Sequence, residues 1–286
     1  MRTVVIVAET GADIPPELAD ACMVRVVPMH VAIGDENLND GQFPITDIYE
    51  YYRKTQKIPS TSATSPEEYR TMFELIHEEE PEAQILHLCY SAVTTATYQN
   101  SLIGSEGMDY VTHIDTKCVS WGQGLVVTKV AGYLNEHPQA TLQDAVRETQ
   151  YWIEHTHFGF LPGGLEFLRA GGRVSNVAYL GASILNLKPL IEIINGELVC
   201  TRKYRGNMKK VSSRLIVDTT VQYRLKKEEL YLVYSEGLSD EVKRTAEETA
   251  RSQGYQSVSW MKTGGVITCH GGPAAFGVVG IIGDHS

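Results

Sequence analysis

The sequence lacks the paired cysteines that stabilise small secreted domains and bind structural zinc. Its five cysteines are widely spaced and form no C-x-x-C pair, so neither a disulfide framework nor a zinc site is predicted. They are Cys22, Cys89, Cys118, Cys200 and Cys269. His155 and His157 could share one face of a strand, but no further ligand stands at metal-binding spacing from them. The sequence therefore predicts neither a metal nor another cofactor.

A long hydrophobic run is also missing. The first apolar stretch, residues 4–8, ends at Glu9 and is far too short for a signal sequence or a membrane span. We therefore expect a cytoplasmic protein without stable membrane insertion.

Positive charge is scarce as well, because 25 Lys and Arg against 35 Asp and Glu give a net charge of −10. This balance disfavours broad binding of nucleic acid.

Several common catalytic motifs are absent. The chain contains no G-x-x-x-x-G-K-[ST], no G-x-G-x-x-G after a strand, no G-x-S-x-G and no H-E-x-x-H. These motifs build phosphate loops, dinucleotide sites, nucleophile elbows and zinc-protease helices. Their absence disfavours the standard nucleotide-binding, hydrolase and metalloprotease classes.

The chain is long enough for two domains with a core in each, since 43% of its 286 residues are hydrophobic. Strands and helices alternate in the first half, which predicts an N-terminal α/β domain over 1–156 with a mainly parallel sheet and helices on both faces. The predicted strands cover residues 4–8, 85–89 and 111–114. Helices are predicted from the Ser65-Pro66-Glu67-Glu68 capping box, from near Thr94 or Thr95, over 125–134 and from Thr141.

From residue 157 onward the pattern favours antiparallel pairing. Asn195-Gly196 separates two predicted strands, 189–194 and 197–203, and is typical of a type I′ hairpin turn. We therefore predict a C-terminal α+β domain over 157–286 with an antiparallel sheet. Its other predicted elements are helices over 207–225 and 240–253, with strands over 230–234 and after 256.

Three polar segments are candidates for a ligand site. His270 follows the apolar run 265–267, which is interpreted as a strand, and lies among small residues that allow a ligand to approach closely. Residues 60–62 and 94–98 are rich in hydroxyls and stand at predicted strand-to-helix junctions, where α/β sheets bind ligands. Free N–H groups at a helix start favour a carboxylate or phosphate. Together the three segments suggest a site in which two hydroxyls and an imidazole donate hydrogen bonds to one anionic group. Alternatively, the hydroxyls could only cap helices, and the histidine could be a structural residue.

Six segments resemble motifs of the DegV family and follow the same order. Residues 9–15 and 61–66 are similar to D-S-T-A-D-L-P and T-S-Q-P-S-P. Residues 91–98 and 171–175 are similar to S-S-x-L-S-G-T-Y and G-G-R-I-S. Residues 185–189 and 270–277 resemble L-N-I-K-P and H-T-G-P-G-A-L-G. Six ordered motifs over nearly the whole chain make the resemblance specific.

The resemblance implies a bacterial protein that binds a long-chain fatty acid and, as the best understood members do, presents the acyl chain to a fatty acid kinase. It implies that Thr61, Thr95 and His270 contact the carboxylate at the domain junction. Four residues in the same loops would support them: Ser62, Thr94, Gly271 and Gly272. Three positions depart from the family pattern, because Glu9 replaces an aspartate, Thr95 a serine and Ala96 a glycine.

An acyl tail needs an apolar tunnel, and the second domain supplies candidate residues for its lining. The same residues could instead form an ordinary core. The candidates are Phe158, Phe160, Leu165, Leu168, Leu180, Ile184, Leu185 and Ile193.

A basic patch stands out in this acidic chain, with five positive charges in the nine residues from Arg202 to Lys210. The resemblance makes it a candidate docking surface for the kinase, with Arg205 as the first choice and Arg202 as the second. A solvated surface is the alternative.

Two other functions also remain open: a hydrolase or transferase that uses Thr95 and His270, and a regulatory module that binds no lipid.

Overall fold

The structure is a computed structural model that describes residues 3–174 and 187–283. The chain divides into two compact units. The first comprises the chain up to Phe43 together with Thr61–Glu154, and the second comprises Pro44–Ser60 and the chain from His155 onward. The assignment of separate roles to residues 1–156 and 157–286 stays a prediction.

Strands and helices alternate over the first half of the chain. The strands are β1 (Val4–Glu9), β2 (Val24–Val27), β3 (His30–Ile33), β4 (Glu36–Asn39), β5 (Ser60–Ser62), β6 (Gln84–Cys89) and β7 (Val111–Asp115). The helices are α1 (Pro16–Cys22), α2 (Thr46–Thr55), α3 (Pro66–Glu79), α4 (Thr97–Gly104), α5 (Trp121–Glu136) and α6 (Leu142–His155). A 3₁₀ turn follows β1 over Thr10–Ala12.

A parallel sheet with the strand order β2-β1-β6-β7 forms the centre of the first unit. Val4 and Ile6 of β1 pack with side chains of α5 and α6, whereas Val5 and Val7 point to the opposite face and pack with α3. The predicted parallel sheet with helices on both faces is confirmed. Because the chain runs from β1 to β2 on one side and from β6 to β7 on the other, the carboxyl ends of β1 and β6 flank the position where such sheets bind ligands.

The predicted start of α3 is confirmed by its hydrogen bonds. The Ser65 hydroxyl accepts from the Glu68 N–H at 3.3 Å, and the Ser65 N–H donates to the Glu68 carboxylate at 2.8 Å. Pro66 occupies the first helical position. Such a capping box satisfies N–H groups that have no partner inside the helix.

A second, three-stranded sheet with the order β4-β3-β5 was not predicted. Its strands are three or four residues long, too short for an alternating pattern to be recognised in the sequence. Helix α2 lies in the second unit, where the Tyr49 hydroxyl donates to the Glu236 carbonyl at 3.1 Å.

The second unit is built on a six-stranded sheet with the order β10-β9-β8-β13-β11-β12. The strands are β8 (Thr156–Leu161), β9 (Leu187–Ile194), β10 (Glu197–Arg205), β11 (Leu225–Tyr234), β12 (Ser257–Lys262) and β13 (Phe276–Ile282). The helices are α7 (Leu165–Gly171), α8 (Met208–Gln222), α9 (Asp240–Ser252) and α10 (Gly265–Gly271).

Most pairs in this sheet are antiparallel, as predicted, and the hairpin at Asn195-Gly196 is confirmed, since both residues have positive φ, 51° and 87°. The edge pair β11 and β12 is parallel. The reason is the intervening helix α9, which returns the chain to the same end of the sheet.

One predicted element is wrong. Residues 265–267 were interpreted as a strand, and His270 was placed in a loop behind it, but both belong to helix α10. The Thr268 N–H donates to the Gly264 carbonyl at 3.0 Å, and the Gly272 N–H donates to the Thr268 carbonyl at 2.9 Å. Three apolar residues in a row fit a buried helix as well as a strand, so periodicity could not distinguish them.

Among the described residues, no helix is both long enough and apolar enough to span a bilayer.

Candidate functional site

Thr94 and Thr95 lie in the turn between β6 and α4. The Thr94 N–H and hydroxyl both donate to the Ser91 carbonyl, at 3.1 and 2.9 Å. The Thr95 hydroxyl lies 2.9 Å from the Thr97 hydroxyl and 3.4 Å from the Thr97 N–H. Helix α4 begins at Thr97, two residues after the predicted start at Thr95. The Thr95 side chain stands at its amino end, where the helix dipole favours a negative group.

Thr61 and Ser62 lie on the short strand β5, with Ser62 exposed. The segment that follows is fixed to the rest of the first unit. The Thr64 hydroxyl donates to the Pro28 carbonyl at 2.6 Å, and the Asn100 amide of α4 donates to the Thr64 carbonyl at 2.8 Å. This last bond ties the segment after Thr61 to the helix that follows Thr95.

Glu9 is a buried carboxylate at the carboxyl end of β1, and its partners were not predicted. One carboxylate oxygen accepts from the Tyr69 hydroxyl at 2.6 Å and from His87 Nε2 at 2.7 Å. The other accepts from the Gln123 amide at 2.7 Å and from the Tyr90 N–H at 3.0 Å.

Burial alone would raise the pKa of Glu9, but attraction to His87 and the hydrogen bonds from His87, Tyr69 and Gln123 lower this pKa below its ordinary value. An ionised Glu9 thus holds the end of β6, from which the Thr94–Thr95 turn departs. Four donors satisfy the Glu9 carboxylate, at a position where the sequence departs from the motif that it resembles.

His270 stands in the last turn of α10 in the second unit, half-buried and with its Nδ1 atom enclosed. Burial, with the positive charge of Arg173 as a smaller cause, lowers the pKa of His270 to about 4. The imidazole is therefore neutral near pH 7 and has one N–H to donate. Arg173 was part of a recognised motif, yet the sequence did not indicate that its charge acts on His270.

Three glycines shape the surroundings of His270. A Cβ atom at Gly171 would overlap Nδ1 of His270, so only glycine leaves room for the ring. The Gly271 carbonyl accepts from the Gly163 N–H at 2.8 Å. Gly272 has a φ of 75°, which glycine adopts without strain, and a Cβ there would lie 3.1 Å from the Phe167 ring.

Phe158, Phe160 and Ile193 lie on one face of the six-stranded sheet. Phe160 pairs with Ile191 of β9 and with Gly277 of β13, and Ile193 shares the face of Ile191 because side chains alternate along a strand. The Phe158 and Phe160 ring centroids are 5.8 Å apart. The opposite face packs against α8 and α9.

Two of the remaining tunnel candidates lie on a helix. Leu165 and Leu168 lie on α7, where Leu168 is buried and Leu165 half-buried. Leu180, Ile184 and Leu185 lie outside the described residues. Lining of an acyl tunnel by any of the eight stays a prediction.

The two docking candidates differ in their surroundings. Arg202 donates to Asp218 at 2.8 Å and to Gln222 at 3.2 Å, so its charge is partly balanced. Arg205 is exposed at the end of β10. Of the neighbouring lysines, Lys209 donates to Glu241 at 2.7 Å.

Comparison with known proteins gives a match over almost the whole chain. The family model described as "Uncharacterised protein, DegV family" matches residues 3–282. A DegV domain-containing protein of Deinococcus radiodurans is 26% identical over 279 residues, which cover 96% of this chain and 97% of the relative.

Solved structures share the fold. A DegV family protein from Thermus thermophilus, described by its fatty acid binding, superposes with a TM-score of 0.87 at 24% identity and covers 99% of this chain and 100% of its own. A DegV family protein from Eubacterium eligens, loaded with heptadecanoic acid, superposes with a TM-score of 0.82 at 17% identity and covers 98% and 100%. At these identities the likeness establishes the fold alone.

Proposed function

Because the chain belongs to the DegV family, we propose that it binds one long-chain fatty acid and acts as a carrier without catalytic turnover of its own. The family match over residues 3–282 is the observation that carries this proposal. Fatty acid ligands of proteins with the same fold support it.

The carboxylate, in this proposal, accepts hydrogen bonds from the hydroxyls of Thr61 and Thr95 and from the imidazole of His270. Three features support the choice. Thr95 stands at a helix amino end, the segment after Thr61 is tied to the same helix, and His270 is a neutral donor beside the charge of Arg173. Ser62, Thr94, Gly271 and Gly272 would shape the loops around these donors.

The acyl tail would supply most of the binding free energy. Burial of about fifteen methylenes at about 0.8 kcal/mol each gives roughly 12 kcal/mol before the costs of association. Each hydrogen bond to the carboxylate adds about 1.5 to 3 kcal/mol. The tail therefore sets the affinity, and the carboxylate contacts set the orientation of the ligand. The apolar sheet face that carries Phe158, Phe160 and Ile193 is our candidate for the tail.

We further propose that the loaded protein presents the carboxylate to a fatty acid kinase, which forms the acyl phosphate. The family resemblance suggests this partner, and the exposed Arg205 suggests a contact for it. A carrier of this kind must leave the carboxylate accessible to the kinase while the tail stays sheltered.

Displacement of a fluorescent fatty acid from delipidated protein tests the carboxylate contacts. We expect palmitate to compete well and its methyl ester poorly, because the ester carries no charge. Thr95→Val and His270→Ala should each weaken palmitate binding by about ten- to a hundredfold, the equivalent of about 1.5 to 3 kcal/mol. Thr71→Val is a matched control, since Thr71 is exposed on α3 and donates to the Glu67 carbonyl of its own helix.

Two results would count against the proposal in different ways. Wild-type affinity in both variants, with equal competition by acid and ester, would mean that the head group binds elsewhere. No displacement by any fatty acid would refute fatty acid binding itself. Melting temperatures of all variants show whether a loss of affinity reflects a loss of fold.

A further inference from the structure

Three potential metal ligands meet on one face of the parallel sheet in the first unit. His87 and Cys89 are two residues apart on β6, so their side chains point to the same face. His113 of β7 pairs directly with His87 in the parallel register. One donor atom from each of the three lies within 4.8 Å of the other two.

Both histidine rings have their Nε2 atoms occupied by oxygen partners. His87 Nε2 lies 2.7 Å from the Glu9 carboxylate, and His113 Nε2 lies 2.9 Å from the Ser105 hydroxyl. The two Nδ1 atoms face each other and lie 2.9 Å apart. Two lone pairs at this distance repel each other, so a proton or a metal cation must lie between them. A histidine whose second nitrogen donates to a carboxylate is the usual arrangement of a metal ligand.

The distances suit a small tetrahedral ion after a slight adjustment. Nitrogens at about 2.0 to 2.1 Å from a tetrahedral zinc ion lie about 3.3 Å apart, and a thiolate at about 2.3 Å lies about 3.6 Å from each nitrogen. The Cys89 sulfur now lies 3.1 Å from His87 Nδ1. Displacement of the rings by a few tenths of an ångström would open the space. The Ser101 hydroxyl, 3.2 Å from His113 Nδ1, stands where a fourth, oxygen ligand would be.

Charge and access also fit. A zinc ion, the Cys89 thiolate and the Glu9 carboxylate sum to zero charge, as a buried site requires. His87 and Cys89 are buried, whereas His113 and Ser105 are half-buried. An ion would therefore enter from the side of β7 and α4.

We propose that His87 Nδ1, His113 Nδ1 and Cys89 Sγ bind one zinc ion, with Glu9 as the residue that positions His87. The bound ion would join β6 to β7 beneath the turn that carries Thr94 and Thr95. The site is independent of the fatty acid proposal, because none of its ligands is a proposed lipid contact.

Metal titration of the full-length protein tests the site. Protein freed of metal with a chelator should take up about one Zn²⁺ per chain, measured by elemental mass spectrometry after dialysis. Co²⁺ in its place should give a thiolate-to-cobalt charge-transfer band in the near ultraviolet, since cobalt reports a sulfur ligand. Cys89→Ser should abolish that band, and His113→Gln should weaken metal binding at least tenfold. Cys22→Ser and His77→Gln are the matched controls and should bind as the wild type does.

The alternative is a proton in place of the ion, shared along a hydrogen-bond chain from the buried Glu9 to the half-buried Ser105. Folded wild-type protein that takes up neither Zn²⁺ nor Co²⁺ would establish that alternative and overturn the proposal. Uptake that persists with unchanged affinity in both Cys89→Ser and His113→Gln would also overturn it. The wild-type result is decisive even where a variant does not fold, and circular dichroism identifies such variants.

Discussion

The ring of His270 lies against Gly171, and the missing side chain of this glycine leaves room for the proposed carboxylate donor. Gly171→Ala should displace the imidazole, because the added methyl would overlap Nδ1. We expect palmitate affinity to fall by about ten- to a hundredfold, as for loss of the His270 hydrogen bond itself. Displacement of a fluorescent fatty acid measures the change.

Gly132→Ala is the matched control for this substitution. Gly132 lies in α5, and a Cβ there would meet nothing within 4 Å. Alanine should leave affinity unchanged and raise the free energy of unfolding by about 0.5 to 1 kcal/mol. If both variants bound palmitate as tightly as the wild type, His270 would not be a carboxylate contact.

Residue types at the candidate site were recognisable in the sequence, but their partners were not. Glu9 was identified only as a departure from the family pattern. Its partners Tyr69, His87 and Gln123 are 60, 78 and 114 residues away along the chain. The pairing of β1 with β6 and the packing of α3 and α5 on the sheet bring them together, and no local sequence pattern indicates these contacts.

At the scale of the elements, strand β8 carries another buried histidine, which lies between β9 and the end of α8. His157 stacks on Tyr223 with ring centroids 3.7 Å apart, and its Nε2 lies 3.6 Å from the Glu192 carboxylate. That carboxylate already accepts from the Tyr223 hydroxyl at 2.7 Å and from Thr201. Burial lowers the pKa of His157 to about 3.

This depressed pKa predicts acid sensitivity. Between about pH 6.5 and pH 3 the unfolded chain protonates His157 while the folded protein does not, so stability falls as pH falls. Each such histidine contributes about 1.4 kcal/mol per pH unit. His157→Phe and His157→Gln should both reduce the slope of unfolding free energy against pH by about that amount, measured by urea denaturation from pH 7 to pH 4. Slopes equal to the wild type in both variants would show that His157 is protonated in the folded protein.

Elements were predictable where local chemistry specifies them. The capping box of α3 and the Asn195-Gly196 turn each need particular side chains at fixed spacing, and both were found. Helix α10 was missed because its apolar residues are few and its glycines disfavour a helix in isolation. Packing of the short helix against α7 outweighs that preference.

At the scale of the whole molecule, the proposed docking surface can be separated from lipid binding. Arg205→Ala should retain bound fatty acid yet slow acyl phosphate formation by a fatty acid kinase by about tenfold at low salt, since rim charges mainly raise association rates. Preloaded protein assayed at two ionic strengths separates docking from loading. Arg251→Ala is a control, because Arg251 is an exposed cation on α9 that pairs with Glu247.

The second arginine serves as a further check on this surface. Arg202 already pairs with Asp218, so its removal alone would also free a carboxylate. Unchanged phosphorylation in the Arg202→Ala/Arg205→Ala double variant would show that the patch is ordinary solvated surface. That result would not affect the proposal of fatty acid binding.

Native mass spectrometry of the protein as purified from bacteria tests fatty acid binding most directly. We expect a mass increment of one long-chain fatty acid per chain, and the same acid in a solvent extract. Delipidated protein should recover the increment and a higher melting temperature when palmitate is added, because a ligand of the folded state stabilises it. A spectrum with the mass of the chain alone, together with a melting temperature that palmitate does not change, would contradict the account.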